Sequence, residues 1–416
     1  MAVRAGRNGV KAADLAQARA ALIEFAEQMY APLVRCDQRA KAEQYVRGLL
    51  LEGRRKSIQP MAARLADGDE QGLQQFITDS PWDDRPVRRR LARRMTAEIE
   101  PDGWVVDDTA LPKDGRFSPG VARQYCGALG KTANCQVIVS VNAVTDRASC
   151  PLDWRLFVPE EWDADAERRK RAKIPEQVRH REKWRLAVDV LDELLDWGLQ
   201  RQVVQADGGY GDITAFRVAL EQRELEYVVQ VKGATSAHPQ DAAPVTPAYQ
   251  GRGRRPKARY PDKPTSLRAL VLAAGPDAAQ PVSWREGDRG PLTSRFVCLR
   301  VRPANDAQRQ DDGVLPERWL LAEWPKDNDE PVKYWLSNLP PDTPLVRLVH
   351  LAKLRWRIEH DYRELKQCLG LDHYEGRTYR GLQHHLTCVT VAHAFLTCCR
   401  LSRAGPSNAR PQMAAA

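Results

Sequence analysis

The segment Val203-Val204-Gln205-Ala206-Asp207-Gly208-Gly209-Tyr210-Gly211-Asp212 carries the clearest sign of the fold. A short apolar run ends on an aspartate and three glycines follow, the pattern of a strand entering a tight turn before a helix. Just upstream, Glu182 to Trp197 reads as a charged helix with Leu186, Val190, Leu191, Leu194 and Leu195 on one side. Earlier still the pattern is strand-like. Trp104-Val105-Val106 leads into Asp107-Asp108, Gln136 to Val144 carries Val137, Ile138, Val139 and Val141, and Trp154 to Val158 follows a turn at Cys150-Pro151. Strands followed by a crossover helix and a further strand imply an α/β sheet.

Working outward, residues 1–98 read as an all-helical domain. Leu15, Ala18, Leu22, Phe25, Ala26 and Met29 repeat at helical spacing, and the last helix carries Arg88, Arg89 and Arg90. Residues 99–225 hold the strands and crossover helix above. Residues 226–345 read as a β-rich insertion, with short runs at Tyr227 to Val231, Leu267 to Ala273, Arg295 to Val301 and Trp319 to Glu323 among Pro- and Gly-rich loops. Residues 346–401 return to helix, and residues 402–416, small, polar and proline-containing, are expected to be a disordered tail.

The chain has 416 residues, with 64 Lys+Arg against 55 Asp+Glu and a formal net charge of +9. Such an excess favours a polyanionic partner. It is concentrated: Arg85 to Arg94 holds six arginines in ten residues. A basic helix of this kind suits a DNA-binding helical domain, Arg88 and Arg89 being the candidate contacts, although a solvated helical face has the same composition. Nine cysteines without a Cys-x-x-Cys pair do not form a disulfide framework, which points to a reducing compartment. No apolar stretch is long enough to span a bilayer and the N-terminus lacks a signal-peptide pattern, so a soluble cytoplasmic protein is expected.

Three acids carry the chemistry. Asp108 and Asp207 each end an apolar run, and Glu359 lies in the basic amphipathic stretch Arg355-Trp356-Arg357-Ile358-Glu359. Strand-end carboxylates on a basic chain suit a hard divalent cation acting on phosphodiesters. Leu351, Leu354, Ile358, Tyr362, Leu365 and Leu369 form an apolar stripe, and Arg355, Glu359 and Lys366 share one edge of it. An ordinary salt-bridge ladder would have the same spacing. Consecutive side chains of a strand face opposite ways, so only one of Asp107 and Asp108 can face a given site.

At these residues the sequence resembles the DDE transposases of bacterial insertion sequences, in the branch with a YREK-type signature. The resemblance runs from about residue 40 to 400. It rests on Val-Val-Asp-Asp-Thr, on Gly-Val-Ala-Arg-Gln-Tyr-Cys-Gly-Ala-Leu-Gly-Lys from Gly120 to Lys131, and on Ala-Asp-Gly-Gly-Tyr-Gly-Asp. The helix from Arg355 to Lys366 completes it. Arg355, Glu359 and Lys366 match the signature spacing Tyr-x2-Arg-x3-Glu-x6-Lys, while Ala352 stands where tyrosine is expected. The resemblance implies an RNase H-like mixed sheet flanked by helices. In it Asp108, Asp207 and Glu359 would hold two Mg²⁺ ions, with Mn²⁺ able to substitute, and Asp108 is preferred over Asp107 because Asp-Thr lines up with the family motif. Arg355 and Lys366 would grip phosphates. The partners implied are double-stranded DNA (terminal inverted repeats and target) and a second copy in the synaptic complex, in the bacterial cytoplasm at the nucleoid. An aromatic of the insertion could stack on a flipped base, the candidates being Trp284, Trp319, Trp324 and Trp335.

Two weaker signals remain. Gly251-Arg252-Gly253-Arg254-Arg255-Pro256-Lys257 looks like an AT-hook, whose arginines, here Arg252 and Arg254, would enter a minor groove; a solvated basic loop is the plainer alternative. Cys368, His373, His384, His385, Cys388 and His393 lack finger-like spacing and are expected to pack within the C-terminal helices rather than bind zinc. Two other functions keep parts of this reading: a DDE nuclease serving another DNA task, and a DNA-binding protein whose catalysis has decayed.

Overall fold

A computed structural model describes residues 12–254, 256–287, 290–304 and 313–403. The expected disordered tail lies almost wholly outside these residues, as does Arg255.

Five helices come first: α1 (Ala12–Tyr30), α2 (Cys36–Leu50), α3 (Ile58–Arg64), α4 (Glu70–Thr78) and α5 (Arg85–Ile99). Four strands follow, β1 (Gly103–Pro112), β2 (Ala122–Cys126), β3 (Lys131–Val144) and β4 (Ser149–Phe157). Short helices α6 (Glu160–Asp163) and α7 (Ala166–Arg171) lead to α8 (Lys183–Asp196), the crossover to β5 (Val204–Ala206). Then come α9 (Gly208–Gly211), α10 (Thr214–Glu221) and β6 (Tyr227–Val231). The next region holds β7 (Ser236–Pro239), β8 (Thr265–Ser266), α11 (Leu267–Ala274), β9 (Gln280–Gly287), β10 (Gly290–Pro303), β11 (Arg318–Glu323) and β12 (Lys333–Ser337). Helices α12 (Leu345–Lys353), α13 (Trp356–Gln367) and α14 (Tyr379–Arg403) close the chain.

The core of the sheet has the order β4-β3-β1-β5-β6. β1 and β3 are antiparallel, whereas β1, β5 and β6 run parallel, as the crossover through α8 requires. β1 sits in the middle and is buried over almost its whole length, which is why Trp104-Val105-Val106 is a continuous apolar run rather than an alternating one. This is the mixed, helix-flanked α/β sheet of an RNase H-like fold.

Three features go beyond the sequence reading. The β-rich insertion is joined to the core sheet: β12 pairs with β6, so β12-β11-β10-β7-β8 extend the same sheet antiparallel. Leu267 to Ala273, expected as strand, is α11, started by Ser266, whose Oγ accepts from the Ala269 amide at 3.1 Å. Its leucines and valine also fit a helical period, and the serine cap settles the choice. The C-terminal helix is broken into three, with a kink at Leu354-Arg355 that places Arg355 at the N-cap of α13.

The N-terminal helices share one continuous apolar core with α14 and one face of the sheet. α14 supplies Leu382, Leu386, Val389 and Ala392 to that core. Its histidines are packed there too. His384 stacks on Trp82 and bonds the carbonyls of Ile77 and Trp82, and His385 meets the Tyr45 hydroxyl at 2.9 Å. Among the described residues no helix is long and apolar enough to cross a membrane.

Candidate active site

β1 and β5 are paired in parallel through Val106 and Ala206, so the next residues, Asp107 within β1 and Asp207 just past β5, stand side by side. Side chains at matched positions of parallel neighbours point to the same face. That face is covered by α13. Ile358 and Leu365 are fully buried beneath the helix, Tyr362 bonds Ser140 at 2.6 Å, and Asp361 bonds Ser149. Ser140 is the cross-strand partner of Asp107, so Asp107 faces the helix that carries Glu359.

Arg355 gathers the acids. From the kink before α13 its Nη2 donates to Asp107 Oδ2 at 3.2 Å and lies 3.8 Å from Asp207 Oδ2, while its Nη1 donates to Glu359 Oε1 at 3.3 Å. Burial works against the guanidinium charge, but Asp107, Asp207 and Glu359 outweigh it and raise the pKa of Arg355. Asp107 is the deepest of the three acids, only 6% exposed. Burial, with Asp207 and Asp108 adding to it and Arg355 opposing, holds its carboxyl at about 7. Glu359 is exposed at the mouth, and Asp207 is half-buried, its Oδ1 accepting from the Gly209 amide at 2.9 Å.

Asp108 lies elsewhere. As the next residue of β1 it takes the opposite direction, where Lys183 Nζ, at the first residue of α8, donates to its Oδ2 at 2.9 Å and the Tyr210 hydroxyl donates to its Oδ1 at 3.1 Å. The aspartate that shares the Arg355 guanidinium with Asp207 and Glu359 is Asp107, whereas Asp108, the member of the pair that the motif favours, is held by Lys183 and Tyr210. The reason is strand alternation: the motif places the pair, and only the pairing of β1 with its neighbours tells which member faces α13. The Asp108–Tyr210 bond ties the turn after β5 to β1. That turn admits no side chain at Gly211, where an added Cβ would stand 2.0 Å from the Gln230 carbonyl oxygen. Asp212 does not cap α10; it accepts from the Lys232 amide at 2.7 Å.

The other expected contacts are distributed differently. Lys366 Nζ donates to the Ala110 carbonyl at 2.8 Å on the C-terminal half of β1, and burial lowers its pKa. Arg88 is not a surface cation: it bonds Asp84 at 2.7 Å and the fully buried Asp153, because its turn of α5 faces the sheet. Arg89, Arg252 and Arg254 are exposed. Trp324 and Trp335 are buried in the core, while Trp284 and Trp319 are half-buried beside Lys353 and Arg300. The sequence assigned no role at the site to Lys183, to Tyr362, which it placed only in the apolar stripe, or to Trp356. The last of these lies next to Arg355 with Arg285 stacked 3.4 Å over its ring, and an aromatic directly after the signature arginine was the signal available for it.

Among the described residues, no three His, Cys, Asp or Glu side chains stand close enough together to hold an ion as they are. The donor set nevertheless fits a hard divalent cation. Carboxylate oxygens from three segments surround one positive charge, and a buried carboxyl with a raised pKa is an anion short of compensation. The guanidinium of Arg355 is the cation that these carboxylates share.

A profile for DDE superfamily endonucleases matches residues 28–291, a span that includes Asp107, Asp108 and Asp207 and ends before Glu359. The chain is also similar to the probable transposase of insertion sequence element IS701 from Microchaete diplosiphon, 28% identical over 188 residues. That similarity covers 44% of this chain and 47% of the relative. With an RNase H-like sheet, acids on adjacent parallel strands and a family match over more than half its length, the chain belongs to the DDE superfamily endonucleases.

Proposed function

We propose that this protein is a cut-and-paste DNA transposase, hydrolysing a phosphodiester at the ends of an insertion sequence and transferring the freed 3′-hydroxyl into target DNA. The observation that carries the reading is the convergence of Asp107, Asp207 and Glu359, from segments far apart in sequence, on the single guanidinium of Arg355. In this reading Asp107 takes the place of Asp108 as the first metal ligand. Two Mg²⁺ ions, or Mn²⁺, bound to these three carboxylates would activate the attacking oxygen and stabilise the leaving one. Arg355 neutralises the acids until the cations arrive and thereafter, with Lys366, binds phosphate. Asp108 anchors Lys183 and Tyr210, which keeps the turn carrying Asp207 against β1. The partners are the terminal inverted repeats and the target duplex, engaged by a dimer of this chain.

The test is cleavage of a labelled duplex bearing the element's own end, with Mg²⁺ or with EDTA, by the wild type, Glu359→Gln and Asp107→Asn. Metal-dependent nicking at the repeat boundary, lost in both variants, is the expected result. Specific binding without any cut in the wild type would sink the catalytic reading. Cutting that ignores the repeat boundary would point to a nuclease serving another task.

A further inference from the structure

The motif from Gly120 to Lys131 has no part in the acid site, yet it forms a projecting element. β2 pairs with Lys131 to Cys135 of β3, whereas the last β1–β3 pair is Pro112 with Cys135. Residues 122–134 are therefore a two-stranded ribbon that continues past the end of β1 and stands outside the five-strand core. One face is seated: Cys126 and Cys135 are buried with Ala110 and Val137, and Ala122, opposite Cys135, is buried as well. Lys366 Nζ bonds the carbonyl of Ala110, which packs with Cys126 and Cys135, so the base of the ribbon adjoins a cation of the helix that carries Glu359.

On the other face Asn134, opposite Arg123, donates to the Lys113 and Gly115 carbonyls at 2.6 and 2.9 Å, and the rest of that face and the tip are exposed. Arg123 and Tyr125 alternate with the buried residues of β2 and are exposed, Tyr125 to 67%. The turn is closed by the Leu129 amide on the Cys126 carbonyl at 3.0 Å, with Gly130 at φ +63°, and it presents Leu129 at 49% exposure beside the exposed Lys131. Arg123 and Tyr125 thus share one face, Lys131, opposite Cys126, emerges on the other, and Leu129 stands at the tip between the two cations. Arg123 and Lys131 make no ion pair or side-chain hydrogen bond among the described residues. The sequence holds no acid at all between Asp114 and Asp146 that could neutralise them.

We propose that this ribbon docks in a groove of the DNA held at the acid site, with Arg123 and Lys131 on phosphates and Tyr125 and Leu129 against the bases or sugars between them. A two-stranded ribbon has the width of the major groove, and cations flanking an apolar centre match its walls and floor. Thr132, opposite Tyr125, lies eight residues along β3 from Ser140, the partner of Asp107. At about 3.3 Å per residue that is roughly 26 Å, so the contact falls no more than about eight base pairs from the scissile phosphate. The inference rests on the chain acting on duplex DNA, and the experiment separates the two.

Binding of the full chain to a labelled duplex of mixed sequence is measured across a salt series, with Mg²⁺ present, for the wild type, Arg123→Gln/Lys131→Gln and Tyr125→Ser/Leu129→Ser. All four side chains are exposed, so unchanged thermal melting is the check that both variants fold. Loss of two phosphate contacts should reduce the slope of log affinity against log salt by about 1.8. The apolar variant should bind several-fold more weakly with its slope unaltered. Both should lose backbone protection within about eight base pairs of the cut. If the wild type binds no DNA, this proposal and the transposase reading fall together. If it binds and both variants match it, the ribbon proposal alone is wrong. A change of sedimentation mass in the DNA-free variants with DNA binding intact would also overturn it, by making the ribbon an interface between copies.

Discussion

Replacing Asp107 by asparagine removes one buried negative charge while keeping the side chain's shape, and the structure sets the size of the effect. Burial and two neighbouring carboxylates hold the Asp107 carboxyl at about 7, against an ordinary value of 3.8. At about 1.4 kcal/mol per pKa unit, roughly three units correspond to about 4 kcal/mol, an upper bound since the site can relax. A folded-state pKa above the unfolded one gives a contribution fully present below the unfolded value and lost as pH rises through the folded value. Wild-type stability in EDTA should therefore fall, relative to Asp107→Asn, between about pH 4 and pH 7, and level off above that. Denaturant titrations of both proteins at several pH values between 5 and 8 measure it. Above pH 7 Asp107→Asn should be the more stable protein by up to about 4 kcal/mol without metal. Adding Mg²⁺ should raise the midpoint of the wild type and leave that of Asp107→Asn nearly unmoved, because a bound cation offsets the charge the variant lacks. Asp108→Asn should show neither effect, since it breaks a half-exposed pair with Lys183 of the kind that contributes at most about 1 kcal/mol. Equal stability of wild type and Asp107→Asn at pH 8, or equal gains from Mg²⁺ in Asp107→Asn and Asp108→Asn, would refute the reasoning.

Other substitutions probe the surroundings. Arg355→Met leaves three carboxylates facing one another, and should cost about 3 kcal/mol in EDTA, largely recovered on adding Mg²⁺; a loss that metal does not repair would mean Arg355 supports packing rather than charge. Arg88→Met should lower stability by about 3 kcal/mol by stripping a partner from the buried Asp153, with no change in the salt dependence of DNA binding. A reduced salt slope would restore Arg88 to the DNA surface. Gly211→Ala drives a methyl into the Gln230 carbonyl and should cost about 3 kcal/mol, abolishing cleavage by displacing the turn that holds Asp207; normal stability and cleavage would contradict the close approach.

Much of this architecture was legible in the residues because the physics behind it is local. Apolar runs ending on Asp107-Asp108 and Asp207, an amphipathic crossover helix from Glu182 to Trp197 and the spacing of Arg355, Glu359 and Lys366 each follow from the period of one element. Those periods determined the α/β class, the neighbourhood of each acid and the charge of the surface. Where a short run satisfied two periods, as from Leu267 to Ala273, the outcome depended on the Ser266 cap and the packing of α11. That the insertion would extend the same sheet through the β12–β6 pairing was beyond local reading, because strand pairing is a contact between distant segments. The same holds for the choice between two adjacent aspartates. Alternation guarantees that they face opposite ways, but only the register of β1 against β3 and β5, and the seating of α13 through Tyr362 on Ser140, turns Asp107 toward Asp207 and Glu359. Arg88, one of six arginines in ten residues, is a buried ion-pair partner solely because its turn of α5 lies against β4. The residues supply the charges and the apolar faces; folding selects which of them are buried together, because burial is what makes a carboxylate need a cation.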